Sequence, residues 1–207
     1  WISEIILQQT RVDQGISYYY KFIKYFPTIH DLAISSEEDV LKLWQGLGYY
    51  SRARNLHYSA KYIMANYNGK FPKNYKDILG LKGIGPYTAA AISSIAFGLP
   101  YAVVDGNVVR VLSRVFNIDI PYDTNEGKKI FNQKAQELIL RSDPSTYNQA
   151  LMEFGALQCK PKLPNCSICV FQNNCIAFQK NNIDSLPVKK KYIKQKVRYL
   201  HYLVIKN

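Results

Sequence analysis

Apolar residues recur at helical spacing along most of the chain. Leu56, Ala60, Ile63 and Tyr67 make one such face, and Ile130, Phe131 and Leu138 make another, broken only by Lys134. Phe26-Pro27-Thr28, Asn68-Gly69-Lys70 and Gly98-Leu99-Pro100 punctuate the pattern. It therefore predicts many helices of roughly 8 to 15 residues joined by tight turns. No internal repeat is present. The one period-two segment runs from Tyr199 to Ile205, and a lone strand has no partner for its backbone groups. That segment therefore predicts the opening of a further domain, and a start at Trp1 rather than Met predicts a piece of a longer protein. The expected division is a helical lobe over 1–98, a second over 99–180, a linker over 181–198 and a truncated domain from 199 to 207.

Composition narrows the class. Hydrophobic residues make up 47% of the 207 positions, enough for a real core, which excludes a disordered chain. No apolar run reaches the roughly 18 residues of a membrane-spanning helix, so no membrane partner is expected. A formal charge of +12 points to a polyanion, with nucleic acid ahead of a membrane surface. A solvated basic face without function is the alternative. Lys189, Lys190, Lys191, Lys194, Lys196 and Arg198 read as a solvated linker within reach of phosphate.

Cys159, Cys166, Cys169 and Cys175 are the only cysteines and are spaced C-x6-C-x2-C-x5-C, which marks one site. Disulfides are one reading, disfavoured because nothing indicates export and the C-x2-C bite suits a metal centre. Four thiolates suit either tetrahedral zinc or a 4Fe–4S cluster, and their chemistry alone separates the two poorly.

Leu81-Lys82-Gly83-Ile84-Gly85-Pro86-Tyr87-Thr88 precedes a run of small residues, Ala89 to Ala96. Gly83 and Gly85 permit positive φ and close approach, and Pro86 fits a first helical turn. Free amides at such a helix start make an anion site suited to a DNA phosphate, although G-x-G alone is also an ordinary helix-helix turn. Asp105, in Val104-Asp105-Gly106-Asn107-Val108, reads by itself as a helix N-cap. Glu4 stands in the apolar stretch Ile2-Ser3-Glu4-Ile5-Ile6-Leu7. It is either a surface residue of an amphipathic helix or an acid held protonated by desolvation.

Taken in order, S-E-I-I-L-Q-Q-T, G-L-G-Y-Y-S-R-A-R-N, L-K-G-I-G-P-Y-T-A, V-D-G-N-V-V-R-V and the four cysteines span roughly residues 1 to 180. This set resembles the MutY family of adenine-specific DNA glycosylases, within the endonuclease III superfamily. The resemblance implies an all-α fold of two lobes with a helix-hairpin-helix and a 4Fe–4S loop on the four cysteines, cut before a C-terminal α/β domain that contacts oxidised guanine. It also implies excision of a flipped adenine opposite 8-oxoguanine or guanine in double-stranded DNA by a monomer, inside the cell with the DNA, in a bacterial cytoplasm unless the source is eukaryotic.

The resemblance also distributes roles. It makes Glu4 the general acid that protonates adenine and Asp105 the anion beside the cationic sugar, the two-carboxylate logic of glycosidic cleavage. Where lyase-active relatives carry a Schiff-base lysine, this chain has Tyr87, so the implied enzyme is monofunctional, with Tyr87 packing and hydrogen-bonding near Asp105 and Asn107 supporting that carboxylate. Gln9 and Tyr49 match intercalating positions, Gly83 and Gly85 the phosphate-binding turn, and Gln149 a position that contacts the flipped base. Without the resemblance, Tyr49 and Tyr50 divide between core and surface, and Arg52 and Arg54 read as a solvated face. A pyrimidine-specific lyase and a non-catalytic cluster protein are the competing functions.

Overall fold

The computed structural model describes residues 1–190, and every regular element there is helical. The segment Tyr199–Ile205 and the cations from Lys191 onward lie outside the described residues. In order the helices are α1 (Ile2–Ile6), α2 (Val12–Tyr25), α3 (Ile29–Ile34), α4 (Glu37–Trp44), α5 (Ser51–Tyr67), α6 (Tyr75–Leu79), α7 (Pro86–Phe97), α8 (Gly106–Phe116), α9 (Asn125–Leu138), α10 (Pro144–Leu157) and α11 (Ile176–Gln179). Among the described residues no helix is long and apolar enough to cross a membrane.

Local chemistry sets many of the helix starts. Thr28, Ser36, Asn74, Asp105, Thr124 and Asp143 each accept a hydrogen bond from a first-turn amide of the helix they precede. Each cap satisfies a donor that has no partner inside the helix. The expected turns hold: Phe26-Pro27-Thr28 separates α2 from α3, and residues with left-handed backbone, Asn68 and Gly98, close α5 and α7.

The apolar faces pack into two larger clusters and a bridge. In the first, α5 packs on α3 and α4 while α1 packs on α2, α5 and α7. Its centre is the fully buried Trp44, met edge-on by Phe22 at 6.0 Å between ring centroids. The second cluster gathers Val108, Val109, Leu112, Phe131 and Ala135, with Leu151 and Met152 of α10 against it. Ala90, Ala91 and Val103 bridge α7 to the segment that leads into α8.

One expected face is corrected. Along α9 the buried residues are Gly127, Phe131 and Ala135, and Leu138 stays exposed. The helix is rolled toward its small residues because Gly127 abuts the Pro121 carbonyl, an approach that any Cβ would block. Lys134 lays its ammonium 5.4 Å from the Phe116 ring centroid.

Candidate active site

Glu4 of α1 and Asp105 at the start of α8 both act electrostatically on Tyr87 of α7. Glu4 lies half-buried on α1 beside the buried Ile5 and Ile6. Loss of water raises its carboxyl pKa above the usual glutamate range. Tyr87 stands in the first turn of α7, and its hydroxyl pKa is pushed up to about 12, first by burial and then by the negative charges of Glu4 and Asp105. Glu4 and Asp105, about a hundred residues apart in sequence, thus act on the same phenol. The Tyr87 hydroxyl donates to Met152 Sδ at 3.8 Å, so its hydrogen bond goes to a sulfur of α10 and not to Asp105.

Asp105 is both cap and candidate catalyst. Its Oδ1 accepts from the Val108 amide at 2.7 Å and its Oδ2 from Asn107 Nδ2 at 2.9 Å. Arg110 holds Asn107 in turn, donating from Nη2 to Asn107 Oδ1 at 2.8 Å and to the Gly155 carbonyl, and from Nε to the Cys159 carbonyl at 2.7 Å. Behind the site, the buried Asn148 accepts from the Val103 amide and donates to Ser94 Oγ and the Tyr101 carbonyl. It thereby fixes the segment that delivers Asp105. An open pocket borders Asp105 and Tyr87 and is walled by Tyr75, Tyr101, Tyr122 and Phe131.

The glycine turn leads into α7. Gly83 has φ +84°, and a Cβ there would lie 2.8 Å from Asn55 Cβ, so both conformation and space call for glycine. Gly85 starts the helix without a side-chain cap and Pro86 takes its first position, while Ile84 is buried as an anchor. Both glycines are exposed. The turn therefore presents uncapped amides at a positive helix end. Gln8 ties α1 to it, donating to Thr88 Oγ1 at 3.2 Å and to the Gly83 carbonyl at 3.4 Å.

Gln9 and Tyr49 are both exposed, each on a turn, with φ of 56° and 46°. Tyr49 keeps 65% of its surface, so it is no core aromatic. Arg52 corrects the sequence reading, because it is 7% exposed and not part of a solvated face. Arg54 is exposed as expected and pairs with Glu37 at 3.1 Å. Gln149 is exposed on α10.

The four cysteines form no disulfide, are half-buried, and line one cavity together with Phe154, Phe171 and Phe178. Burial and the three neighbouring cysteines raise the Cys166 pKa, while Arg114 opposes them. Arg114, itself buried, donates to Cys159 Sγ at 3.5 Å, to the Lys160 carbonyl at 2.7 Å and to the Pro161 carbonyl at 3.1 Å. Among the described residues no group of three or more His, Cys, Asp or Glu stands at the spacing of ligands to one ion. Four cysteines lining one cavity are nonetheless a donor set that thiolate-bound metal centres use.

Residues 2–139 match the profile of the HhH-GPD superfamily base excision DNA repair proteins. The chain belongs to that superfamily. It is 41% identical over 201 residues to an adenine DNA glycosylase of Buchnera aphidicola subsp. Baizongia pistaciae, covering 96% of this chain and 57% of the relative. It is 44% identical over 182 residues to the adenine DNA glycosylase of Mus musculus, covering 87% and 35%. The chain thus spans about half or less of the length of these curated relatives. A solved thermostable thymine-DNA glycosylase superposes with a TM-score of 0.79 at 32% identity, over 86% of this chain and 82% of that one.

Several residues of this HhH-GPD member escaped sequence reasoning. Arg110 had a readable signal, a cation inside the buried run Val108-Val109-Arg110-Val111. Asn148 had only its neighbour Gln149 to draw attention. Arg52, Arg114 and Gly155 had none, since their partners are distant in sequence.

Proposed function

We propose that this HhH-GPD member is a monofunctional adenine DNA glycosylase acting on double-stranded DNA, with adenine opposite 8-oxoguanine or guanine as its substrate. The observation that carries the reading is Asp105, its two oxygens held by Asn107 and the Val108 amide, bordering one open pocket with Tyr87, and the charge of Glu4 also acts on that phenol. Cleaving an N-glycosidic bond requires a proton for the leaving base and a negative charge beside the developing sugar cation. Glu4, whose half-buried carboxyl holds its proton to higher pH, supplies the first. Asp105, with Asn107 and the Val108 amide holding its two oxygens, supplies the second. A water activated by the Glu4 carboxylate then completes the hydrolysis.

The target base must leave the stack to reach these groups. Gln9 and Tyr49 enter the duplex in its place, the amides of the Gly83–Gly85 turn hold a phosphate, and Gln149 meets the flipped base. Cys159, Cys166, Cys169 and Cys175 hold a 4Fe–4S cluster, which when bound cross-links the loop from 159 to 175. The lobes divide near residue 98, and the protein works as a monomer inside the cell, with the DNA. The adenine DNA glycosylases among its relatives support this reading.

Single-turnover assays on duplexes carrying adenine opposite 8-oxoguanine, adenine opposite guanine and thymine opposite guanine test it. Adenine release from the first two is expected. Faster release of thymine would move the assignment to the chemistry named for the thymine-DNA glycosylase structure. No release from any duplex, with the cluster loaded and DNA bound, would leave a non-catalytic DNA-binding protein.

A further inference from the structure

Arg52 is buried, and among the described residues it makes no ion pair. Its charge is met by oxygens at the end of α1 and in the turn that follows it, and by oxygens of the turn before α5. Nη1 donates to the carbonyls of Ile5 at 3.3 Å, Ile6 at 2.8 Å and Gln8, and to Thr10 Oγ1 at 3.2 Å. Nη2 donates to the carbonyls of Leu47 and Gly48, both at 3.2 Å. The first turn carries Gln9 and the second carries Tyr49, each in a left-handed conformation that residues with a Cβ seldom adopt. The guanidinium also lies 5.3 Å from the Trp44 ring centroid and 5.7 Å from that of Tyr49.

A buried cation is a poor stabiliser in itself, because desolvation offsets what its bonds return. Here those bonds reach the two turns whose tips, Gln9 and Tyr49, are exposed and add nothing to the core. We infer that Arg52 is a positioning residue that locks the Gln9 and Tyr49 turns into one rigid double wedge for entering the DNA stack. This rests on the glycosylase reading for its use of DNA. Arginine is required because its planar fork aims two nitrogens in fixed, divergent directions, whereas a lysine ammonium would satisfy one turn and release the other.

The test compares Arg52→Lys with the unaltered protein, both carrying Glu4→Gln so that the DNA stays intact, on a mispaired duplex with 2-aminopurine beside the target. Retained thermal melting, affinity for undamaged duplex within about threefold, and a fluorescence rise cut at least fivefold are expected. Amide exchange at Thr10 and Leu47, whose N–H groups bond the Leu7 and Trp44 carbonyls within the two turns, should speed up together without DNA. Tyr49→Ala should reduce the fluorescence rise at least fivefold with Arg52 present and less than twofold beside Arg52→Lys. A full fluorescence rise in Arg52→Lys, unchanged exchange, or additive losses would overturn the inference while leaving the glycosylase reading standing. No rise even with Arg52 present would overturn both. If Arg52→Lys loses its helical spectrum, Thr10→Val removes one acceptor in the first turn only. Faster exchange at Leu47 in the other turn is then expected, and unchanged exchange there overturns the inference.

Discussion

Gly155 on α10 lies so close to Asn107 on α8 that an added Cβ would come within 2.7 Å of Asn107 Cβ and 2.8 Å of its carbonyl oxygen. The contact involves the Asn107 backbone, so no rotamer change relieves it. Asn107 donates to Asp105 and accepts from Arg110, and Arg110 also holds the Gly155 carbonyl. Whatever separates α8 from α10 therefore moves the Asp105 carboxylate. Gly155→Ala should lower the single-turnover rate of adenine release at least tenfold and destabilise the fold by about 1–3 kcal/mol, as overpacking does, despite alanine's better helix propensity. An unchanged rate by quenched-flow assay would show that α10 withdraws without carrying Asn107.

Glu4→Gln should remove the proton donor and leave the phosphate-binding turn untouched. Adenine release should fall by about 10² to 10⁴, the usual contribution of a general acid, while duplex affinity by fluorescence anisotropy stays within about threefold. A rate within a few-fold of the unaltered protein would reject Glu4 as the acid.

The same residue should leave a mark on stability. Burial raises the Glu4 pKa in the folded state, so folded protein holds this proton after the unfolded chain has released it. Stability is therefore highest below the ordinary glutamate value of about 4.3 and falls as pH rises toward the raised folded value. Glutamine carries no such proton. The melting temperature of Glu4→Gln should match the unaltered protein at low pH and exceed it at neutral pH. A gap that instead widened toward acid would mean that Glu4 is stabilised as its anion.

Tyr87 bears a phenol that stays protonated, with its pKa near 12, and offers no amine at this position. The product should be an intact abasic strand that breaks only on heating with alkali, and borohydride should trap little or no covalent adduct. A high yield of trapped complex on denaturing gels would point to a lysine elsewhere and a lyase mechanism.

Protein made with ample iron should be brown and hold about four irons and four acid-labile sulfides through Cys159, Cys166, Cys169 and Cys175. Removing the cluster should open the loop from 159 to 175 to limited proteolysis. It should also slow adenine release, since Arg110 joins the Cys159 carbonyl to Asn107. Stoichiometric zinc without iron would assign the cysteines to a single tetrahedral ion.

Much of the fold was legible because its causes are local. The N-caps bond to amides three residues ahead, Pro86 is preset for a first helical turn, and the glycine turn needs only its own backbone freedom and one neighbour. Asp105 shows the limit of such reading. Its role as N-cap follows from sequence and is what the structure contains, yet a second role beside Tyr87 depends on where α7 and α8 come to lie. Periodicity alone turns the wrong face of α9 inward, because it counts large apolar residues, whereas packing chose the side where Gly127 lets backbones touch.

The sequence by itself determined the helices, the turns between them, the candidate thiolate ligands and the two carboxylates, since each depends on residue type and short spacing. Only tertiary structure decided that Glu4, Tyr87 and Asp105 share one electrostatic environment, and that Arg52 is a buried hub and not a surface charge. The physical reason is range. Capping and turn preferences act over three or four residues, while the Arg52 guanidinium reaches carbonyl oxygens 44 to 47 positions away, a meeting that exists only once α1, α4 and α5 have packed.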